Sequence, residues 1–166
     1  MAVRQVLLWP DPRLTQVCAP VEAGVDLTAL AADMLDTMYD ANGRGLAGPQ
    51  IGVMQRIFVM DITWKEGLRA PQVLINPEIV AVSEVHVGGE EGCLSIPDTP
   101  LEVTRPAEVT MRWRDMDGLQ QERRMTGFEA KCAQHELDHL NGKVIFDHLP
   151  EDERRRYEAA YLEAQQ

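Results

Sequence analysis

The sequence has no long hydrophobic run. None of its apolar stretches approaches the roughly 20 residues that a membrane-spanning helix needs. The run from Val6 to Trp9 is also too short for the apolar part of a signal peptide. Cysteine is scarce, and an odd count of three does not suit a disulfide framework but is typical of a reducing compartment. We therefore expect a cytoplasmic protein that does not bind membranes and has at least one free thiol.

Positive charge is also in short supply, because 16 lysines and arginines face 27 acidic residues, for a net charge of -11. Proteins that bind the phosphate backbone of nucleic acids need a basic surface, so we expect no direct nucleic-acid binding. The sequence has no internal repeat, low-complexity segment or obvious linker. Its length suits one domain over residues 1–166, with a charged C-terminal helix over 150–166.

The spacing of apolar residues predicts two further helices among short strands. One runs from Leu27 to Ala41, with Asp26 or Thr28 as its N-terminal cap. The other runs from Gly127 to Asn141, with Thr126 as its cap. Strands are expected at Arg56–Asp61, Leu101–Arg105, Val109–Arg114 and Gln120–Thr126, the last two joined by a hairpin turn at Asp115–Gly118. The segments Val73–Pro77 and Ile79–Val82 are expected to form one strand that the proline interrupts, so that it is bulged or lies at a sheet edge.

The second of these helices contains His135-Glu136-Leu137-Asp138-His139. Two histidines four residues apart lie on one helix face, one turn apart, and can bind the same metal ion. Glu136 lies next to the first histidine, where it can reach a water molecule activated by the metal without being a ligand itself. This arrangement is typical of metal-assisted hydrolysis with a glutamate as general base. A solvent-facing amphipathic helix can show the same short pattern by chance, so other stretches must decide.

A catalytic site of this kind needs a third protein ligand and one open position. One metalloprotease class has a histidine six residues after the second, but Ile145 occupies that place here. Another class has a glutamate further downstream, which would be Glu158, although only 27 residues follow His139. Cys93 is the remaining candidate, because it follows a glycine between strong breakers and can be presented from a loop or strand end. Its alternative role is that of a small buried apolar residue.

The stretch Gly43–Gly52 contains four glycines and a proline in ten residues, too many breakers for a regular element. It is either a flexible turn or a loop whose amides face a reacting oxygen. In the second case Gln50 would donate a hydrogen bond to a developing oxyanion.

Taken together, three stretches resemble the motifs of the peptide deformylase family, bacterial enzymes that remove the formyl group from the initiating methionine of new polypeptides. Their order and spacing are similar to the family over nearly the full length, and three motifs in register are far more specific than one. They are Gly43-Arg44-Gly45-Leu46-Ala47-Gly48-Pro49-Gln50, Glu91-Gly92-Cys93-Leu94-Ser95 and His135-Glu136-Leu137-Asp138-His139.

The resemblance implies an α+β fold in which mainly antiparallel strands wrap around a central metal-binding helix. It implies that Cys93, His135 and His139 bind one divalent metal ion. In this family the ion is usually Fe²⁺, with Zn²⁺ or Ni²⁺ able to occupy the same site. The expected partners are N-formylated nascent peptides. We expect a monomer that works near the ribosome, although the C-terminal segment offers little positive surface for such a contact.

The resemblance also assigns the chemistry. Glu136 would pass a proton from the attacking water to the leaving amine. The Gln50 side chain and the Leu94 backbone amide would bind the formyl oxygen as the tetrahedral intermediate forms. Arg105 would either meet the substrate backbone or pair with Asp138. The full set of expected substrate-binding residues is Arg44, Gly45, Glu91, Arg105, Phe128, Lys131 and Cys132.

Some positions depart from the family pattern. Arg44 stands where the family usually has a small aliphatic residue, and Gly48 is a milder change from alanine. Lys131 stands where an apolar residue usually lines the pocket for methionine. Either both long side chains turn outwards and leave only their methylenes in the wall, or the pocket prefers a polar or acidic side chain. The alternatives to a methionine-specific deformylase are thus a divergent hydrolase of another N-acyl compound and a non-catalytic metal-binding module. The intact Glu136 and Gln50 argue against the second.

Overall fold

The computed structural model describes residues 2–166, which form seven β-strands, three α-helices and four short 3-10 helices. The helices are α1 (Thr28–Asp40), α2 (Gly127–Leu140) and α3 (Glu151–Ala164). The strands are β1 (Gly45–Ala47), β2 (Ile57–Met60), β3 (Gln72–Val82), β4 (His86–Cys93), β5 (Ile96–Pro106), β6 (Glu108–Arg114) and β7 (Gln120–Thr126).

All strand pairs within the two sheets are antiparallel. Five strands form one sheet in the order β1-β2-β3-β6-β7, and β4 pairs with β5 in a separate two-stranded sheet. Strand β3 runs through Pro77 and lies between β2 and β6, so the proline is not at a sheet edge and the predicted bulge is the alternative that is confirmed. The proline is accommodated at a bulge, since the register with β6 shifts between Ile75 and Glu78 and Asn76 has a φ of 50°.

Helix α2 lies in the middle of the molecule and packs against β1, β2 and β7. Its apolar residues recur at helical spacing, and they share one core cluster with side chains from the five-stranded sheet. The predicted helix is confirmed to within one residue, and Thr126 is its N-cap residue as predicted, although its side chain makes no capping hydrogen bond. The buried apolar residues of α2 are Ala130, Cys132, Ala133, Leu137 and Leu140.

Helix α1 packs on a second apolar cluster, formed with β1, β2 and β3. Asp26 accepts a hydrogen bond from the Thr28 amide just before the helix begins, as one of the two predicted caps requires. Helix α3 buries Tyr161 against Trp9 and Phe146. The molecule is therefore an α+β protein in which α2 is enclosed and the other helices lie outside it. Within residues 2–166 no helix is both long and apolar enough to cross a membrane.

Candidate active site and metal centre

The side chains of Cys93, His135 and His139 meet at one point. Cys93 is the last residue of β4, and the two histidines are one turn apart on α2. One ligand atom from each residue lies within 4.8 Å of the others, and the Cys93 sulfur is 3.5 Å from His139 Nε2. These separations suit three ligands of a tetrahedral metal ion. Glu158, the alternative third ligand, lies on α3, where it accepts a hydrogen bond from Arg154.

The end of β4 turns the thiol towards α2. The pairing with β5 shifts register between Glu91 and Cys93, and such an irregularity changes the direction of the next side chain. Burial by itself would raise the pKa of the Cys93 thiol. The positive potential of His139 and hydrogen bonds from both histidines outweigh this and lower that pKa to about 5. The thiolate, which is the form that binds metals, is therefore favoured.

The buried ion pair of Glu91 and Arg105 is hydrogen-bonded to His135. The Nδ1–H of His135 donates to Glu91 Oε1 at 3.0 Å, which leaves Nε2 free to bind a metal. Arg105 donates two hydrogen bonds to Glu91, at 2.7 and 2.9 Å, and a third to Asp138 at 2.9 Å. Burial would raise the pKa of Glu91, but the hydrogen bonds from Arg105 and His135 hold it at about 2. Glu91 is therefore a permanent carboxylate.

This group, which we call the rear network, consists of Glu91, Arg105, Asp138 and His148. His148 lies beyond α2 and its Nε2 is 2.8 Å from Asp138 Oδ2. Arg105 forms the predicted pair with Asp138, and it lies behind His135 rather than on the wall of the active-site cavity. Its other predicted contact, with the substrate backbone, has no support in this position.

Glu136 lies beside the metal-binding side chains and is 4% exposed. Its Oε1 atom is buried and has no hydrogen-bond partner among residues 2–166. Burial raises its pKa, and the neighbouring histidines only partly offset that effect. Strand β1 passes so close that a Cβ at Gly45 would lie 2.5 Å from Glu136 Oε2. Only glycine allows this approach. The arrangement provides a carboxylate with a free oxygen and a raised affinity for a proton.

Gln50 is 1% exposed and is held by both ends of its amide. Its oxygen accepts a hydrogen bond from the Ala47 amide at 2.9 Å. Its nitrogen donates to Ser95 Oγ at 3.1 Å and lies 3.8 Å from the Cys93 sulfur. The donor end of Gln50 therefore faces the metal-binding cluster. Ser95 was not among the predicted site residues, although it closes the motif that contains Cys93.

A cavity of about 640 Å³ opens in front of these groups. It is lined by Cys93, His135 and Glu136. Most of the expected substrate-binding residues line it too, namely Arg44, Gly45, Glu91, Phe128, Lys131 and Cys132, together with Leu94. Several other lining residues were not predicted, including Val6 and Lys65 from distant parts of the chain, and Ile96 and Pro97, which directly follow Ser95.

Comparison with known proteins agrees with this geometry. The polypeptide deformylase family model matches residues 3–155. The peptide deformylase of Alkalilimnicola ehrlichii is 49% identical, over 94% of this chain and 87% of that protein. The peptide deformylase of Afipia carboxidovorans is 47% identical, over 99% of this chain and 96% of that protein. A crystal structure of a peptide deformylase from Legionella pneumophila has a TM-score of 0.90 and 41% identity, and the alignment covers 99% of this chain and 96% of that one. The chain belongs to the polypeptide deformylase family.

Proposed function

We propose that this site hydrolyses the formyl amide at the N-terminal methionine of new polypeptides. We also propose separate roles in binding and catalysis for the residues around the cavity. The protein is a hydrolase of the deformylase type, which removes the formyl group from nascent peptides. One observation carries the assignment of roles. A buried carboxylate with an unpartnered oxygen, that of Glu136, lies directly beside the three metal-binding side chains.

Cys93, His135 and His139 hold one divalent metal ion. The donor set fits such an ion, because a thiolate and two imidazoles converge with their ligand atoms within 4.8 Å. When bound, the ion polarises the formyl carbonyl and lowers the pKa of water. A thiolate with two imidazoles suits Fe²⁺, Zn²⁺ and Ni²⁺. We propose Fe²⁺, the usual metal of the family, and metal analysis of protein purified without oxygen tests this choice.

Glu136 accepts a proton from the attacking water and delivers it to the leaving amine. Its raised pKa suits both steps, since a general acid–base works best with a pKa near the working pH. The nitrogen of Gln50 and the backbone amide of Leu94 donate hydrogen bonds to the formyl oxygen as negative charge develops there. The rear network keeps His135 in the correct tautomer and orientation through this cycle.

The remaining cavity residues bind the peptide. Gly45 presents its backbone to the substrate, next to Glu136. Phe128 and Cys132 offer apolar surface for the methionine side chain. A non-catalytic metal-binding module has no need for the free oxygen of Glu136, because an unpaired buried carboxylate costs stability.

The test is a formate-release assay on formyl-Met-Ala-Ser with protein purified without oxygen and loaded with Fe²⁺. We expect catalytic turnover that follows the metal content of the preparation. Full metal occupancy without formate release would contradict the proposal.

A further inference from the structure

Two cationic side chains flank one aromatic ring in the active-site cavity. The guanidinium carbon of Arg44 lies 5.1 Å from the centre of the Phe128 ring, and the Lys131 nitrogen lies 5.9 Å from the same point. All three residues line the cavity that contains Cys93 and Glu136. We call Arg44, Phe128 and Lys131 the cationic wall. Arg44 and Lys131 are half-buried, so both charges are partly withdrawn from bulk water.

Neither cation forms an ion pair with a carboxylate of residues 2–166. The Lys131 ammonium donates to the backbone carbonyl of Glu90, and the Arg44 guanidinium lies over the Phe128 ring and has no hydrogen-bond acceptor among residues 2–166. The acidic residues Glu90 and Asp98 also line the cavity, but their side chains are not paired with these cations. Arginine and lysine groups in a partly desolvated pocket retain hydrogen-bond donors for an anion that enters it.

The cationic wall begins next to the reaction centre. Lys131 precedes His135 by four residues of α2, which is about 6 Å along the helix axis. Arg44 precedes Gly45, which contacts Glu136. In a bound extended peptide each further residue lies about 3.3 Å farther from the formyl group. The substrate side chain nearest to the wall is therefore that of the formylated residue itself.

We propose that the cationic wall binds an acidic side chain on the formylated residue, so that the enzyme also takes formyl peptides that begin with glutamate. Arg44 and Lys131 donate hydrogen bonds to the substrate carboxylate, and the Phe128 ring packs against its methylenes. Methionine uses the same ring and the aliphatic stems of the two cations. The inference rests on the proposed function, because it places the formyl group at the same metal centre.

The test compares formyl-Glu-Ala-Ser with formyl-Gln-Ala-Ser, two peptides of nearly equal shape that differ in charge. Partly exposed charge-assisted hydrogen bonds predict that kcat/KM is about tenfold higher for the glutamate peptide at low salt. The preference should shrink at about 1 M salt, which screens exposed charges. Calorimetric Kd values with the Glu136→Gln variant, which should cleave the peptides roughly 10²–10⁴-fold more slowly, should show the same ratio.

Two double variants remove the same charge from different places. Arg44→Leu with Lys131→Leu should bring the glutamate-to-glutamine ratio close to one in both measurements. Lys143→Leu with Arg156→Leu removes two exposed cations outside the cavity and should leave the ratio unchanged. Circular dichroism and thermal unfolding show whether each variant is folded.

The outcomes separate the two proposals. A ratio near one in the wild type, with formyl-Met-Ala-Ser cleaved, overturns the inference and leaves deformylation intact. A preference that survives Arg44→Leu with Lys131→Leu also overturns it. If no peptide is cleaved, the proposed function fails, and the Kd ratio by itself then supports or overturns the carboxylate site.

Discussion

Arg105 and Arg44 both lie close to the metal-binding side chains, and their surroundings are opposite. Arg105 is 5% exposed and bonds to the carboxylates of Glu91 and Asp138. Arg44 is half-buried, contacts the Phe128 ring and has no carboxylate partner among residues 2–166. We call the side chains that line the active-site cavity the cavity face. Arginine is thus paired with carboxylates in the rear network and left without a carboxylate partner on the cavity face.

The difference follows from the cost of burying charge. A buried ion is tolerated only when partners replace the lost water, and the rear network meets that condition for Glu91 and Arg105. On the cavity face, Glu136 keeps an unpartnered oxygen and Gln50 directs its donor end at the metal-binding cluster. The groups of the rear network are therefore paired with one another, whereas the cavity face keeps hydrogen-bonding groups that no protein partner occupies.

The largest effect is expected from Cys93→Ala, which removes a metal ligand from the cavity face. The variant should lose its metal and with it all formate release, because two histidines alone make an incomplete site. Metal content by mass spectrometry and the formate assay measure this. Retention of one metal ion per chain would show that another residue is the third ligand.

Replacing Glu136 by glutamine tests the cavity face without removing a ligand. We expect formate release to fall by roughly 10²–10⁴-fold, the contribution of a general acid–base, with metal content unchanged. The melting temperature should stay the same or rise, since an unpaired buried carboxylate is lost. Glu129→Gln, in the first turn of the same helix, is the matched control and should keep its activity. Turnover at the wild-type rate by Glu136→Gln would remove Glu136 from the mechanism.

Arg105→Met tests the rear network. It leaves the Glu91 and Asp138 carboxylates partly uncompensated, and we expect the free energy of unfolding to fall by about 3–5 kcal/mol. Metal affinity should also fall, by roughly 10–100-fold, because His135 loses part of its support. Urea unfolding and metal titration measure the two effects. A variant as stable as the wild type would show that the network contributes little.

The smallest effect is expected from Arg155→Met on α3, which is also the control for Arg105→Met. Arg155 pairs with Glu151 one turn away, and both side chains are 74% exposed. Such a pair contributes about 0.5 kcal/mol or less to the free energy of unfolding. A loss comparable to that of Arg105→Met in the same urea titration would mean that burial does not explain the contrast between the two arginines.

Local patterns predicted a good part of this molecule. The α2 helix, the β6–β7 hairpin and the shared face of His135 and His139 follow from residue spacing within about 15 residues of the chain. Local residue spacing does not predict the position of Cys93. Its place beside the histidines depends on a register shift in β4 and on the packing of that sheet against α2. The motif order in the sequence supplied that link through a family resemblance.

Other features lay beyond local patterns. Pro77 predicted either a bulge or an edge position for its strand, and only the pairing of β3 with both β2 and β6 decided in favour of the bulge. The Gln50–Ser95 hydrogen bond joins residues 45 positions apart. The position of Val6 on the cavity wall likewise depends on how the N-terminal segment packs.

By itself the sequence predicted which residues form the candidate site, because ligand type, helical periodicity and motif order are properties of short stretches. Only the tertiary structure decided which charges are neutralised and which are left available. Residue type alone does not separate Arg105 from Arg44, or Glu91 from Glu136. Their roles differ because hydrogen-bond partners and the degree of burial depend on segments far apart in the chain, and these set the pKa and the bonding capacity of each group.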